Sequence, residues 1–200
     1  MFNRTYVKQV ELLLQVLPLL QKHDCFALKG GTAMNLFVQD MPRLSVDIDL
    51  AYLPLVPRED ALAGISGALE QLAVEIEAGL PGTTVQGQPV AGVTGRLVVN
   101  AENAQIKVEP NFVFRGALFP PETRTLCASA QIEFERFVES RILSKADLYG
   151  GKICAALDRQ HPRDLFDVHL MFRNPGLTDD IRSAASAGGP TSGITCASSS

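Results

Sequence analysis

Leu28-Lys29-Gly30-Gly31-Thr32-Ala33 and, one short helix later, Arg43-Leu44-Ser45-Val46-Asp47-Ile48-Asp49-Leu50 decide how this chain reads. The apolar run Phe26-Ala27-Leu28 ends on two glycines, and Ala33 to Val38 are good helix formers, so a strand turns into a helix at Gly30 and Gly31. Backbone N–H groups at a helix start are unpaired, glycines let a phosphate approach them, and Thr32 adds a hydroxyl donor. From Ser45 to Leu50 apolar and polar residues alternate, as in a strand with one dry face. Val46, Ile48 and Leu50 belong to that face; Asp47 and Asp49 project from the other, roughly 6.6 Å apart along the backbone. Paired carboxylates repel unless a cation sits between them, and hard oxygen ligands at this spacing suit Mg²⁺. A pair of such ions, ~3.5 to 4 Å apart, can bracket a phosphoryl centre. Each half has a bland counterpart, a mere chain reversal for the glycines and two solvated aspartates for the strand. A phosphate cradle one short helix before a paired-carboxylate strand is the more specific arrangement.

Outward from this block, Val7, Val10, Leu13, Leu14, Leu17 and Leu20 keep helical spacing and predict an amphipathic first helix. Residues 58–79, after Pro57, predict a long helix. Thr94 to Val99, a turn around Asn100 to Ala104, and Gln105 to Glu109 predict a hairpin ended by Pro110, with Ile106 and Val108 facing one way and Lys107 and Glu109 the other. Ser144 with Asp147 three residues on caps a helix to about Arg159, and His161-Pro162-Arg163 opens another to about Phe172. Asp164 and Asp167 share a face at its start, where acidic residues complement the helix dipole. Ser183 to Ser200 hold no charged residue and predict a flexible tail. The chain divides accordingly into a core over 1–143, a helical segment over 144–182 and a tail over 183–200. The fold class is α/β (α+β), a mixed sheet flanked by helices and followed by a short helical segment.

The chain has 200 residues, 46% hydrophobic and 20% charged, with 18 Lys+Arg against 22 Asp+Glu and a net charge of −4. Such a composition excludes disorder throughout and a strongly basic nucleic-acid coat. A local basic groove of Arg136, Arg141, Lys145, Lys152, Arg159 and Arg163 stays open. Cys25, Cys127, Cys154 and Cys196 form no C-x-x-C, which argues against a zinc knuckle or a disulfide frame and fits a reducing cytoplasm. His161 and His169 lack metal-ligand spacing and read as capping and packing residues, and Cys154 as core. No run approaches the ~20 apolar residues of a membrane span.

The glycine block and the Asp47–Asp49 block resemble the first motif of the AbiEii/AbiGii toxin-family nucleotidyltransferases, within the DNA polymerase β-like superfamily. Asp147-Leu148-Tyr149-Gly150-Gly151-Lys152 and Arg163-Asp164-Leu165-Phe166-Asp167 are similar to that family's downstream lysine and aspartate motifs. The resemblance implies a nucleotidyltransferase-type sheet, a phosphate loop at Gly30, Gly31 and Thr32, and metal-binding carboxylates at Asp47 and Asp49. It further implies a third carboxylate, for which Glu109 is the candidate, a triphosphate-steadying Lys152, and Asp164, ahead of Asp167, at the site margin. Two Mg²⁺ ions and an NTP substrate follow from it, as do transfer of a nucleoside monophosphate to an acceptor such as the end of a tRNA, and an antitoxin protein as partner in a bacterial toxin–antitoxin or phage-defence pair. A small-molecule adenylyltransferase of the antibiotic-resistance type and a non-catalytic nucleotide-binding remnant stand as alternatives. Family members continue into a substantial helical C-terminal region, whereas this chain turns to Ser, Gly and Ala, so the resemblance predicts a shortened form.

Overall fold

A computed structural model describes residues 3–187. The chain separates into two compact units, one of residues up to Ala117 with Pro121–Leu143, the other of Leu118–Pro120 with the chain from Ser144 onward. The first unit runs α1 (Arg4–Leu20), β1 (Phe26–Lys29), α2 (Gly30–Ala33), β2 (Ile48–Tyr52), α3 (Arg58–Gly79), β3 (Thr84–Val90), β4 (Val93–Ala101), β5 (Ala104–Pro110), β6 (Glu122–Thr125), α4 (Ala128–Phe134) and β7 (Glu139–Ile142). Between α2 and β2 the helix widens into a π-helical turn, Met34–Val38. The strands form one seven-stranded sheet in the order β3-β4-β5-β2-β1-β7-β6. Two pairs, β2 with β5 and β1 with β7, are parallel and the others antiparallel.

Alternation along the central strands sets the core. Leu28, Ile48, Leu50, Leu97, Val99, Ile106 and Val108 are buried, and so are Leu13, Leu14 and Leu17 of α1 and Ile65, Leu69, Leu72 and Ile76 of α3. Both helices pack on the sheet, α1 against β5 and β7 and α3 against β3 and β4. Each fully buried Leu or Ile side chain contributes about 1.5–3 kcal/mol by leaving water, so this layer holds the sheet rigid beneath whatever its other face carries.

The predicted strand over Ser45 to Leu50 begins later than its alternation suggests. Asp47 lies just ahead of β2 and Val46 is only half-buried, because the chain enters the ladder at Ile48, the first residue paired with β5. The hairpin forms as predicted, with Ala101 paired to Ala104 across a tight turn. The long helix spans Arg58–Gly79 after Pro57.

In the second unit α5 (Lys145–Arg159) is capped by Ser144, whose hydroxyl oxygen accepts the Asp147 N–H at 3.0 Å. Asp147 in turn accepts backbone N–H groups of Leu118 and Phe119 at 3.1 and 3.0 Å, tying the short 118–120 segment to this helix. His161 caps α6 (Pro162–Arg173) through Nδ1, which accepts the Arg163 N–H. Helix α7 (Asp179–Ala187) corrects the predicted tail: Ser183 to Ala187 are helical and Ala184 is buried against α5. A Cβ added at Gly150 would stand 2.6 Å from the Ala184 Cβ, so the two helices approach where both residues are small. The rest of the expected tail, 188–200, lies outside the described residues. Cys154 is half-buried, its Sγ 3.1 Å from the Ala185 carbonyl oxygen, and burial pushes the thiol pKa up.

Candidate functional site

Chain direction and register bring four charged residues into one row across the first unit's sheet. Lys29 of β1 pairs with Asp49 of β2, and Asp49 pairs with Glu109 of β5. One step beyond the pairing of Leu97 with Val108, Arg96 of β4 reaches the Glu109 carboxylate with its Nε as an ion pair. Neighbouring strands lie about 4.8 Å apart, so the order is cation, carboxylate, carboxylate, cation. The buried residues beside them, Leu28, Leu50, Val108 and Leu97, take the opposite face. A cavity of about 370 Å³ opens over this row, walled further by Val90, Gly95, Asn111, Phe112 and Val113. That volume lies in the range of small-ligand sites.

The glycine turn borders the same carboxylates. Gly30 has φ +68°, a left-handed conformation, and a Cβ placed there would collide with the Asp49 carboxylate, whose Cγ would be 2.9 Å away. Ser45 and Arg43 lie against Gly31 in the same way, so the two halves of the sequence block fold onto each other. Thr32 is buried, and its hydroxyl donates to the Asp47 carbonyl oxygen at 2.6 Å. Its hydrogen therefore fastens the segment leading into β2 instead of pointing at a ligand. Asn35 braces the turn, its Nδ2 donating to the Gly31 carbonyl oxygen at 2.7 Å.

The residues present fit a divalent cation by the chemistry of their donors: Asp49 and Glu109 offer hard carboxylate oxygens from adjacent strands, with Asp47 immediately before β2. Among the described residues no three His, Cys, Asp or Glu side chains are gathered into a ready-made cluster.

The second unit gathers the downstream residues. Lys152 is 8% exposed, with Nζ 3.0 Å from Asp164 Oδ1 and 3.1 Å from Asp167 Oδ2. Arg159 adds Nε at 2.8 Å from Asp164 Oδ2. Burial pushes the Asp164 pKa up, but the hydrogen bond and charge of Lys152, then those of Arg159, outweigh it and hold the carboxyl below the usual aspartate range. The family resemblance sets Asp164 beside Lys152; Asp167, fully buried, joins it because residues three apart share a helix face. Of the cations offered for a basic groove, Lys152 and Arg159 are committed to this cluster and Arg141 to Asp24 at 2.6 Å. Missed from the sequence were Lys29 and Arg96, whose signal was the strand register that carries them beside Asp49 and Glu109.

The sequence model of a family described as "Nucleotidyl transferase AbiEii toxin, Type IV TA system" matches residues 11–192. This chain belongs to the AbiEii family. The AbiEii match takes in the glycine turn, Asp47, Asp49, Glu109 and the Lys152 cluster. Among solved structures the chain is similar to MenT4, a nucleotidyltransferase toxin of Mycobacterium tuberculosis, with a TM-score of 0.66 and 16% identity, over 91% of this chain and 64% of that one. It is also similar to JHP933 of Helicobacter pylori, with a TM-score of 0.60 and 18% identity, over 92% of this chain and 74% of that one. These likenesses agree with the mixed sheet and its flanking helices. The chain spans 64% of the length of MenT4. No curated protein matches it. None of its helices, among the described residues, is long and apolar enough to cross a membrane.

Proposed function

We propose that this AbiEii-family chain is a nucleotidyltransferase that moves a nucleoside monophosphate from an NTP to an acceptor hydroxyl, as the toxin of a type IV toxin–antitoxin pair. The observation that carries the reading is the side-by-side placement of Asp49 and Glu109 in one cavity, against a left-handed Gly30 that only the absence of a side chain accommodates. Two Mg²⁺ ions held by Asp47 and Asp49 would supply charge neutralisation of the leaving pyrophosphate and a lowered pKa for the acceptor hydroxyl. Glu109 serves as a further ligand or accepts the hydroxyl proton. The backbone around Gly30 and Gly31 cradles the phosphates, and Thr32 keeps the Asp47 segment in register with that cradle. The family resemblance is what assigns Lys152 to the triphosphate; within its own unit it is a point charge whose orientation Asp164 and Asp167 fix.

The acceptor in this reading is the end of a tRNA, and the partner is a cognate antitoxin protein in the cytoplasm. The commitment of Arg141, Lys152 and Arg159 to carboxylates favours a second reading, a small-molecule acceptor that needs no extended basic surface. Incubation with each α-labelled NTP, Mg²⁺ and total cellular RNA tests both. Label on tRNA supports the first reading, label on a small molecule the second, and NTP binding without pyrophosphate release marks a non-catalytic remnant. Asp49→Asn is expected to abolish transfer while the melting temperature stays within a few degrees, since the buried face of β2 is untouched. Transfer by Asp49→Asn at the wild-type rate refutes the metal assignment.

A further inference from the structure

The row Lys29, Asp49, Glu109, Arg96 is neutral as it stands, two carboxylates flanked by two cations. Two adjacent carboxylates repel, and each is destabilised in its charged form unless a positive group compensates it. Arg96 compensates Glu109 directly; its Nε and the carboxylate are in contact, and its Nη1 approaches Gln88 Oε1 at 3.4 Å from the other side. The Arg96 and Glu109 side chains are 39% and 30% exposed, so the pair is open to exchange with solvent ions and is not a locked core bridge. A guanidinium donates hydrogen bonds but carries no proton it can give up, so its hold on Glu109 is released only by movement or by a competing cation.

We propose that Arg96 is a built-in competitor for the divalent cation, occupying Glu109 until the metal and nucleotide arrive and then turning its guanidinium to the nucleotide's phosphates. The proposal rests on the reading that Asp49 and Glu109 face a bound cation, and adds a regulation which that reading does not contain. Its chemistry is an exchange of partners: Glu109 trades one positive charge for a larger one, and Arg96 trades a carboxylate for a phosphate, a match its planar fork makes bidentately. Arg96 acts twice on this account, on Glu109 before the nucleotide arrives and on the phosphates afterwards. Metal alone is held weakly because it must displace Arg96. Metal with triphosphate is held well because the phosphates give Arg96 a new partner.

The test is titration of Mn²⁺, followed by electron paramagnetic resonance and by calorimetry, into wild type, Arg96→Gln, Arg96→Lys and Asp49→Asn without nucleotide. Arg96→Gln is expected to bind Mn²⁺ about three- to tenfold more tightly than wild type, the scale of one partly exposed charge interaction of about 1 kcal/mol. Arg96→Lys is expected to return towards wild type, and raising the salt is expected to narrow the gap. Repeating the titration with a non-hydrolysable NTP analogue is expected to abolish or reverse the advantage of Arg96→Gln. Equal Mn²⁺ affinity for wild type and Arg96→Gln, with binding lost in Asp49→Asn, overturns the role of Arg96 and leaves the metal reading standing. Binding that survives in Asp49→Asn, or is absent from every protein, overturns the metal reading itself and the Arg96 proposal with it.

Discussion

Replacing Lys152 by Met tests the buried charge cluster of the second unit. The ammonium sits within 3.1 Å of two carboxylates, and its side chain is 8% exposed while those of Asp164 and Asp167 are 5% and 0% exposed. Met keeps the length of the chain and removes the charge. Asp164 retains Arg159 at 2.8 Å, but that arginine is 63% exposed and is a weak partner. Asp167 loses the ammonium at full burial. Breaking a buried pair on one side costs about 3–5 kcal/mol, because the remaining charge keeps its desolvation penalty. In a chain of 200 residues each kcal/mol moves the melting temperature by about 2–4 °C, so Lys152→Met is expected to melt at least about 6 °C below wild type. Lys152→Met with Asp167→Asn is expected to recover part of the loss, since the amide removes a buried charge that the ammonium had balanced. Differential scanning calorimetry decides it. Equal melting temperatures for wild type and Lys152→Met, or a double variant no better than the single, would refute the view that this cluster is a structural charge balance on which any phosphate contact is superimposed.

The depressed pKa of Asp164 gives a pH signature: its stabilisation is complete above the ordinary aspartate range of about 3.9 and is lost as pH falls through the lower folded value, so Asp164→Asn should flatten the acid limb of a melting-temperature profile. Gly30→Ala forces a side chain into a left-handed conformation, worth about 1–2 kcal/mol, and into the Asp49 carboxylate; urea denaturation should show at least that loss, and nucleotide affinity should fall with it. Thr32→Val removes the hydroxyl that holds the Asp47 carbonyl at 2.6 Å, and is expected to cost about 1–3 kcal/mol and to speed amide exchange over residues 45–47.

The strand-to-helix turn, both hairpin strands, α3, α5 and α6 were legible because each has a strong local signal: a glycine pair, strict alternation, Pro57, Ser144, Pro162. The strand β3 was not, since most of it is exposed and Gly87 and Pro89 interrupt it; it is held by pairing with β4, which no local pattern records. Arg96 was missed because the turn Glu102-Asn103 lacks the glycine that marks a two-residue hairpin, leaving the register one can count from it undetermined. The second half of α7, Ser183 to Ala187, reads as tail because it holds only Ser and Ala and no charge, and Ala184 is small where it packs on Gly150. The Lys152 cluster was visible only through family motifs; its double carboxylate pairing belongs to tertiary packing.

The hydrogen bond from Thr32 to the Asp47 carbonyl, together with the seat of Asp49 over Gly30, closes residues 33–46 into a ring whose two ends are the two halves of the site. The free energy of closing such a ring changes only with the logarithm of its length, each doubling costing about 0.6 kcal/mol. The arc beyond Gln39 is nonetheless tied down along its length: Asp40 accepts the Ser129 N–H and hydroxyl at 2.9 and 2.8 Å, Met41 is buried, and Arg43 and Ser45 lie against Gly31. A change in the length of the arc therefore costs little in closure entropy and much in these contacts, which hold the cradle and the carboxylates at one spacing.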